Sequence, residues 1–245
     1  MDVAGLWAIR FTLIALAVSP LRRLANWPRI ASTRRMFGLA AMAYALAHLL
    51  LYAWDQRFQW LIIMHEIAVR IYLTIGFAAL LTVCMLGLTS TDRWIARLGR
   101  NWKRLHQAVF ALGFLGIVHF FMQSKANVSE AVLIAGFFLW LSIWRGLPVR
   151  WQGQFVPLFV LAVSSGIGAA FIEFAWYGLA TRVPATRVLQ ANLSLSFGLR
   201  PAVWVCAIGF AVAVLTSTRS SAIRMIAGRE PLRGSEHNTA LKHWC

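Results

Sequence analysis

The chain has 245 residues, of which 60% are hydrophobic and only 13% charged, with a formal net charge of +16 and a mean hydropathy of +0.66. So much apolar surface excludes an ordinary soluble domain of this size and describes a polytopic helical membrane protein. The positive charge does not indicate nucleic acid, because the basic residues collect in the short connections between apolar runs.

Apolar runs long enough to cross a bilayer fall near 3–21, 36–54, 71–91, 105–124, 128–144, 154–178 and 200–218, which predicts an all-α bundle of about seven transmembrane spans. Arg10 interrupts the first run. Its start carries Asp2, no lysine and no small-x-small cleavage pattern, so it is expected to be a helix and not a signal peptide. The second run carries His48, and the connection after it holds His65 beside Glu66. The fourth run opens after Lys103 and Arg104 and carries His106 and His119. Glu130 sits near the start of the fifth run. Glu173, the acid deepest in any run, stands near the end of the sixth, where it could pair with Arg182 or Arg187 or serve proton movement or quinone contact. Cys84 and Cys206 lie inside apolar runs and Cys245 ends the chain, so no spacing suggests a metal site or a disulfide framework. The tail after Thr218, which contains His237 and His243, is too short for a dinucleotide or flavin domain, so electrons or substrate must come from another molecule.

Charge sets the expected orientation. Seventeen of the 24 lysines and arginines fall on the side that holds the connection around Arg22–Arg35, the Arg93–Arg104 stretch and the tail. The positive-inside rule then places the N-terminus outside and the C-terminus in the cytoplasm. The domains predicted on this basis are a first helix with its basic loop (1–32), a core (33–150), two additional helices (151–218) and a basic tail (219–245).

Depth separates the histidines. His48 stands thirteen residues past Arg35 and His119 fifteen past Arg104, roughly 20 and 22 Å along their helices, so the two lie level on different spans. Level imidazoles on facing helices are what bis-histidine haem ligation requires, whereas a single membrane histidine can equally be a packing residue bonded to a neighbouring carbonyl or hydroxyl. His106 lies at the basic surface, thirteen residues before His119, which puts the two about 140° apart around an ideal helix. Gly113 and Gly116 between them offer a place for distortion. No second histidine matches His106 near Arg35, so either ligation or a polar role at the rim is open for it. Arg70 on one side, and Arg34, Arg35 and Arg104 on the other, are the candidate partners for haem propionates. The tryptophans fall mostly at expected interfaces, as in an aromatic belt.

Several motifs occur in order: Thr33-Arg34-Arg35, Gly38-Leu39, His48 with Tyr52, Arg70 with Tyr72-Leu73-Thr74 and Gly76, Leu88-Thr89-Ser90-Thr91, Leu98-Gly99, Trp102, Leu105-His106 and His119. Over residues 33–145 this set resembles the ferric-reductase-like transmembrane family, and within it the haem-binding membrane subunits of periplasmic methionine-sulfoxide reductase systems. Ile71 stands where that branch usually has proline, and Phe110 where tyrosine is frequent. The branch carries a further helix before the first span, whereas this chain has two extra spans after the core. The resemblance implies a bacterial inner-membrane protein that binds haem b, one or two, through His48, His119 and His106. It implies electrons taken from a cytoplasmic flavin reductase or quinol, with FMN or quinone as donor, and delivered to a periplasmic molybdopterin methionine-sulfoxide reductase. A transmembrane ferric or metal reductase is the alternative within redox chemistry, and a non-redox transporter or assembly subunit is the alternative outside it.

Overall fold

The structure is a computed structural model and describes residues 2–124, 127–181, 187–188, 190 and 198–227. Lys125, Arg182 and the tail histidines His237 and His243 therefore lie outside the described residues. The elements are α1 (Asp2–Leu24), a 3-10 turn (Pro28–Ser32), α2 (Thr33–Asp55), α3 (Trp60–Val69), α4 (Ile71–Leu88), α5 (Asp92–Leu98), α6 (Arg100–His106), α7 (Ala108–Gln123), α8 (Ser129–Gly146), α9 (Phe155–Ala180) and α10 (Pro201–Ala227), with no strand among the described residues. Seven helical stretches are long and apolar enough to cross a membrane, and they coincide with the seven expected runs. They alternate in direction, so one end of the bundle carries the start of α1 together with α3, and the other carries α5, α6 and most of the arginines.

Helix α8 is the central post. Eight of its residues are buried, among them Val132, Trp140 and Trp144, and they pack against Leu16 of α1, Leu158 and Leu161 of α9 and Val205 of α10. In lipid the apolar effect gives little drive for helices to associate, so close packing must supply it, and small residues permit that. A methyl group on Gly166 would lie 3.0 Å from Cys206 Cβ, and one on Gly209 would lie 2.8 Å from Ala162 Cβ, so α9 and α10 meet almost backbone to backbone. Helices α1, α2, α4 and α7 form the other half of the molecule around Ala41, Ala79, Val83, Leu86 and Leu112. Helix α1 touches both halves.

The two charges that break the apolar runs of the first and fifth spans turn out to be partners. Arg10 of α1 is ion-paired with Glu130 at the start of α8. Pairing answers both charges at once, which is how ionisable groups are tolerated at membrane depth. Glu173 is fully buried and pairs with Arg200, just before α10; of the two partners expected for it, Arg187 is exposed and Arg182 lies outside the described residues. Antiparallel packing of α9 on α10 brings the end of one helix to the start of the other, a proximity that sequence spacing does not show.

Two connections hold more order than the apolar pattern predicts. The segment after Asp55 forms α3, ten apolar-rich residues ending at Arg70, whose extended backbone (φ −95°, ψ 106°) starts a new helix direction without a proline at position 71. The basic stretch forms α5 and α6, split at Gly99, whose φ of 51° and ψ of −122° suit only glycine.

Candidate cofactor site between the helices

His48 of α2 and His119 of α7 face each other, with ring centroids 6.3 Å apart and ring planes inclined at 73°. Both line a cavity of about 450 Å³ between α1, α2, α4 and α7, with Ile67 of α3 also in its wall, mostly apolar, with Tyr52, Gln123 and Ser124 as polar residues toward the end that carries the N-terminus. The size is that of a pocket for a medium-sized organic ligand.

His119 is oriented by the backbone. Its Nδ1 lies 2.8 Å from the carbonyl of Tyr72, and because a carbonyl only accepts, Nδ1 carries the proton and Nε2 keeps its lone pair. A metal-ligating histidine is typically held in this way. The approach requires Gly76, one turn along α4: a methyl group there would lie 2.7 Å from His119 Nδ1 and Cε1. Gly5 of α1 plays the same part opposite, where a methyl group would lie 3.2 Å from the ring of His48. Among the described residues no three His, Cys, Asp or Glu side chains gather as for a bare metal ion.

A second cavity, of about 530 Å³, opens toward the basic end and is lined by Arg34, Arg35, Ser90, Trp102 and His106. Thr12, Ala41, Val83 and Leu112 line both cavities, so a single layer of side chains separates them. His106 ends α6 and His119 lies in α7, the two helices meeting at Gln107, where the backbone stays helical (φ −69°, ψ −19°). Gly113 and Gly116 serve close packing: a methyl group on the first would collide with Phe138, and one on the second would touch Ile9. His106 stacks on Trp102 at 4.0 Å, its Nδ1 is 3.2 Å from the Trp102 carbonyl and its Nε2 is 3.3 Å from Ser90 Oγ. Among the described residues it is the one histidine in this cavity's wall, and its contact with Ser90 joins α6 to the turn after α4.

The candidate arginines separate. Arg35 forms a 2.6 Å ion pair with Asp92, an exposed pair worth little in stability. Arg34 has no carboxylate partner among the described residues and lines the cavity. Arg104 is exposed on α6 and lines neither cavity. Arg70 lies at the α3–α4 junction, donating to the Tyr72 hydroxyl at 3.2 Å and paired with Glu66 at 2.5 Å; the hydroxyl and the carboxylate both hold its guanidinium above its ordinary pKa. Gly5, Tyr52 and Ser90 are site residues that the apolar pattern alone does not mark, although Tyr52 and Ser90 belong to the ordered motifs.

Comparison with known proteins gives this geometry a family. Residues 4–117 match the family described as ferric reductase like transmembrane component. The chain is 44% identical over 142 residues to the protein-methionine-sulfoxide reductase heme-binding subunit MsrQ of Xanthomonas campestris pv. campestris (strain 8004), covering 58% of this chain and 65% of that protein. It is 34% identical over 152 residues to the MsrQ subunit of Caulobacter vibrioides, covering 61% of this chain and 70% of that one. The chain thus spans just under two thirds of the Xanthomonas relative. No solved structure matches. The chain belongs to the ferric-reductase-like transmembrane family, in the group that holds the MsrQ subunits.

Proposed function

We propose that this is a haem b membrane protein that carries electrons across the bacterial inner membrane, in which His48 and His119 would hold one haem. The observation that carries the reading is the separation of the two rings. Two metal–imidazole bonds of about 2 Å, with the two ring radii of about 1.1 Å, span a little over 6 Å, and the centroids stand 6.3 Å apart. The paired glycines clear the space beside each ring, and two imidazoles complete a coordination sphere where a macrocycle supplies the other ligands.

Haem bound there supplies a one-electron iron couple. The residues of the chain do the rest. The Tyr72 carbonyl fixes the tautomer and plane of His119, and the apolar wall excludes water, which tunes the potential. Tyr52 offers a donor to a propionate in the cavity, while Arg70, held by Glu66 and the Tyr72 hydroxyl, lies outside its lining. Arg34 and Arg35 place positive charge beside the second cavity, suited to the anionic groups of a second haem or of an incoming donor, with His106 and Trp102 as its wall. The names of the relatives support a catalytic methionine-sulfoxide reductase as the acceptor at the outer face, and the arginine-rich end supports a cytoplasmic donor, a flavin reductase or quinol.

The test is a reduced-minus-oxidised spectrum of the detergent-purified chain with haem counted per polypeptide. A low-spin b-type spectrum in the wild type, lost in both His48→Ala and His119→Ala, is the expected result. Unchanged haem in the two variants would falsify the ligand assignment.

A further inference from the structure

Helix α3 takes no part in the electron path described above. It is ten residues long, about 15 Å, half the thickness of a hydrocarbon core. Apart from His65 and Glu66 every residue is apolar, Leu61 is 89% exposed, and Trp60, Met64 and Val69 are each more than half exposed. A helix apolar on nearly every side is not stable with that surface in water, and this one is too short to cross a bilayer. The opposite face is occupied by the protein, because Ile63 is buried and Ile67 lines the cavity of His48 and His119.

Both ends of α3 are defined. Before it, Arg57 and Phe58 have φ of 50° and 54°, the left-handed region for two successive residues that are not glycine. After it, the Glu66–Arg70 ion pair and a 2.6 Å hydrogen bond from Thr74 Oγ1 to the Ile67 carbonyl tie its last turn to α4. The surfaces that adjoin it decide what covers the exposed face. Trp54 at the end of α2 and Ile71 at the start of α4 are both largely exposed, and on a transmembrane bundle such flanks face lipid. Trp54, Phe58 and Trp60 form a chain of ring contacts at 6.0 and 5.9 Å, the composition of an aromatic interface belt.

We infer that α3 is a lipid-anchored lid: its outward face lies among phospholipid acyl chains of the leaflet at the N-terminal end, and its inward face closes the His48–His119 cavity to water-soluble molecules. The lipid half of this statement stands on the exposed face alone, while the lid half rests on the cavity being the cofactor site.

The full chain is placed in phospholipid nanodiscs with Cys84, Cys206 and Cys245 replaced by serine and one spin label at Leu61→Cys or Met64→Cys. Leu50→Cys on α2 serves as the lipid reference and Arg57→Cys as the water reference. Labels at 61 and 64 should collide with oxygen as readily as the label at 50 and be shielded from a nickel chelate. Nickel collision like that at 57, or dipolar broadening from a second copy, overturns the lipid assignment. The pair Leu61→Lys and Met64→Lys alters only the outward face, so haem content and spectrum should stay unchanged while external dithionite reduces the haem several-fold faster; equal rates overturn the lid. If the wild type proves to hold no haem, the ligand assignment fails separately. The lid is then read by reaction of a water-soluble maleimide with Ala45→Cys in the cavity wall, faster with the lysine pair if the lid exists and equal if it does not.

Discussion

Two glycines set how closely the imidazoles approach their neighbours, and the geometry at Gly76 is the more demanding. A methyl group at 2.7 Å from His119 cannot be accommodated, so the ring must swing away and lose its bond to the Tyr72 carbonyl. Gly76→Ala should therefore weaken haem retention by about 10–100-fold, the usual cost of losing a group that orients a ligand, and should shift the low-temperature EPR signature of whatever haem remains. A wild-type spectrum and full occupancy in that variant would show that the ring is not so constrained. At Gly5 the clearance is larger, 3.2 Å, and Gly5→Ala should change the spectrum without emptying the site, measured the same way. The two histidines were legible in the sequence because depth along a helix can be counted from the flanking arginines. The Tyr72 carbonyl and the Gly5 backbone were not, since a sequence gives no register between one helix and the next.

At the scale of helices the ionisable residues work in pairs. Glu173 is fully buried and ion-paired with the largely buried Arg200, and removing the carboxylate takes this partner from the guanidinium in a poorly solvating interior. Glu173→Leu alone should destabilise the protein by about 3–5 kcal/mol, whereas Glu173→Leu with Arg200→Met should recover most of that loss, both followed by thermal unfolding in detergent. Equal losses in the single and double variants would mean that the pair contributes packing and not charge balance. The seven long helices were visible in advance because each needs a predominantly apolar run of about twenty residues, a strong and local signal even where Arg10 and Glu130 break it. Helix α3 was not, because a ten-residue stretch with eight apolar residues fits a loop, a buried strand or an interfacial helix equally well. The packing role of Gly113 and Gly116 was also hidden, since the neighbours Phe138 and Ile9 come from other helices.

The molecule as a whole is polarised. One end carries the α5–α6 arginines and the cavity of His106, the other carries α3 and the mouth of the His48–His119 cavity, and the shared row of Thr12, Ala41, Val83 and Leu112 lies between them. On the proposed orientation, with the positive end in the cytoplasm, electrons entering beside Arg34 and His106 would cross to the opposite face through the two cavities. Vesicles made from the purified chain, loaded with a reductant and challenged outside with an impermeant acceptor, test the direction. Molecules inserted with the arginine-rich end inward should pass electrons out, and His48→Ala or His119→Ala should stop the transfer. Arg34→Gln should slow it while leaving the spectrum of the first haem intact, because Arg34 lines only the second cavity. If Arg34→Gln instead removed the low-spin signal, the two cavities would hold one cofactor between them, and the row of four side chains would have to part to admit it.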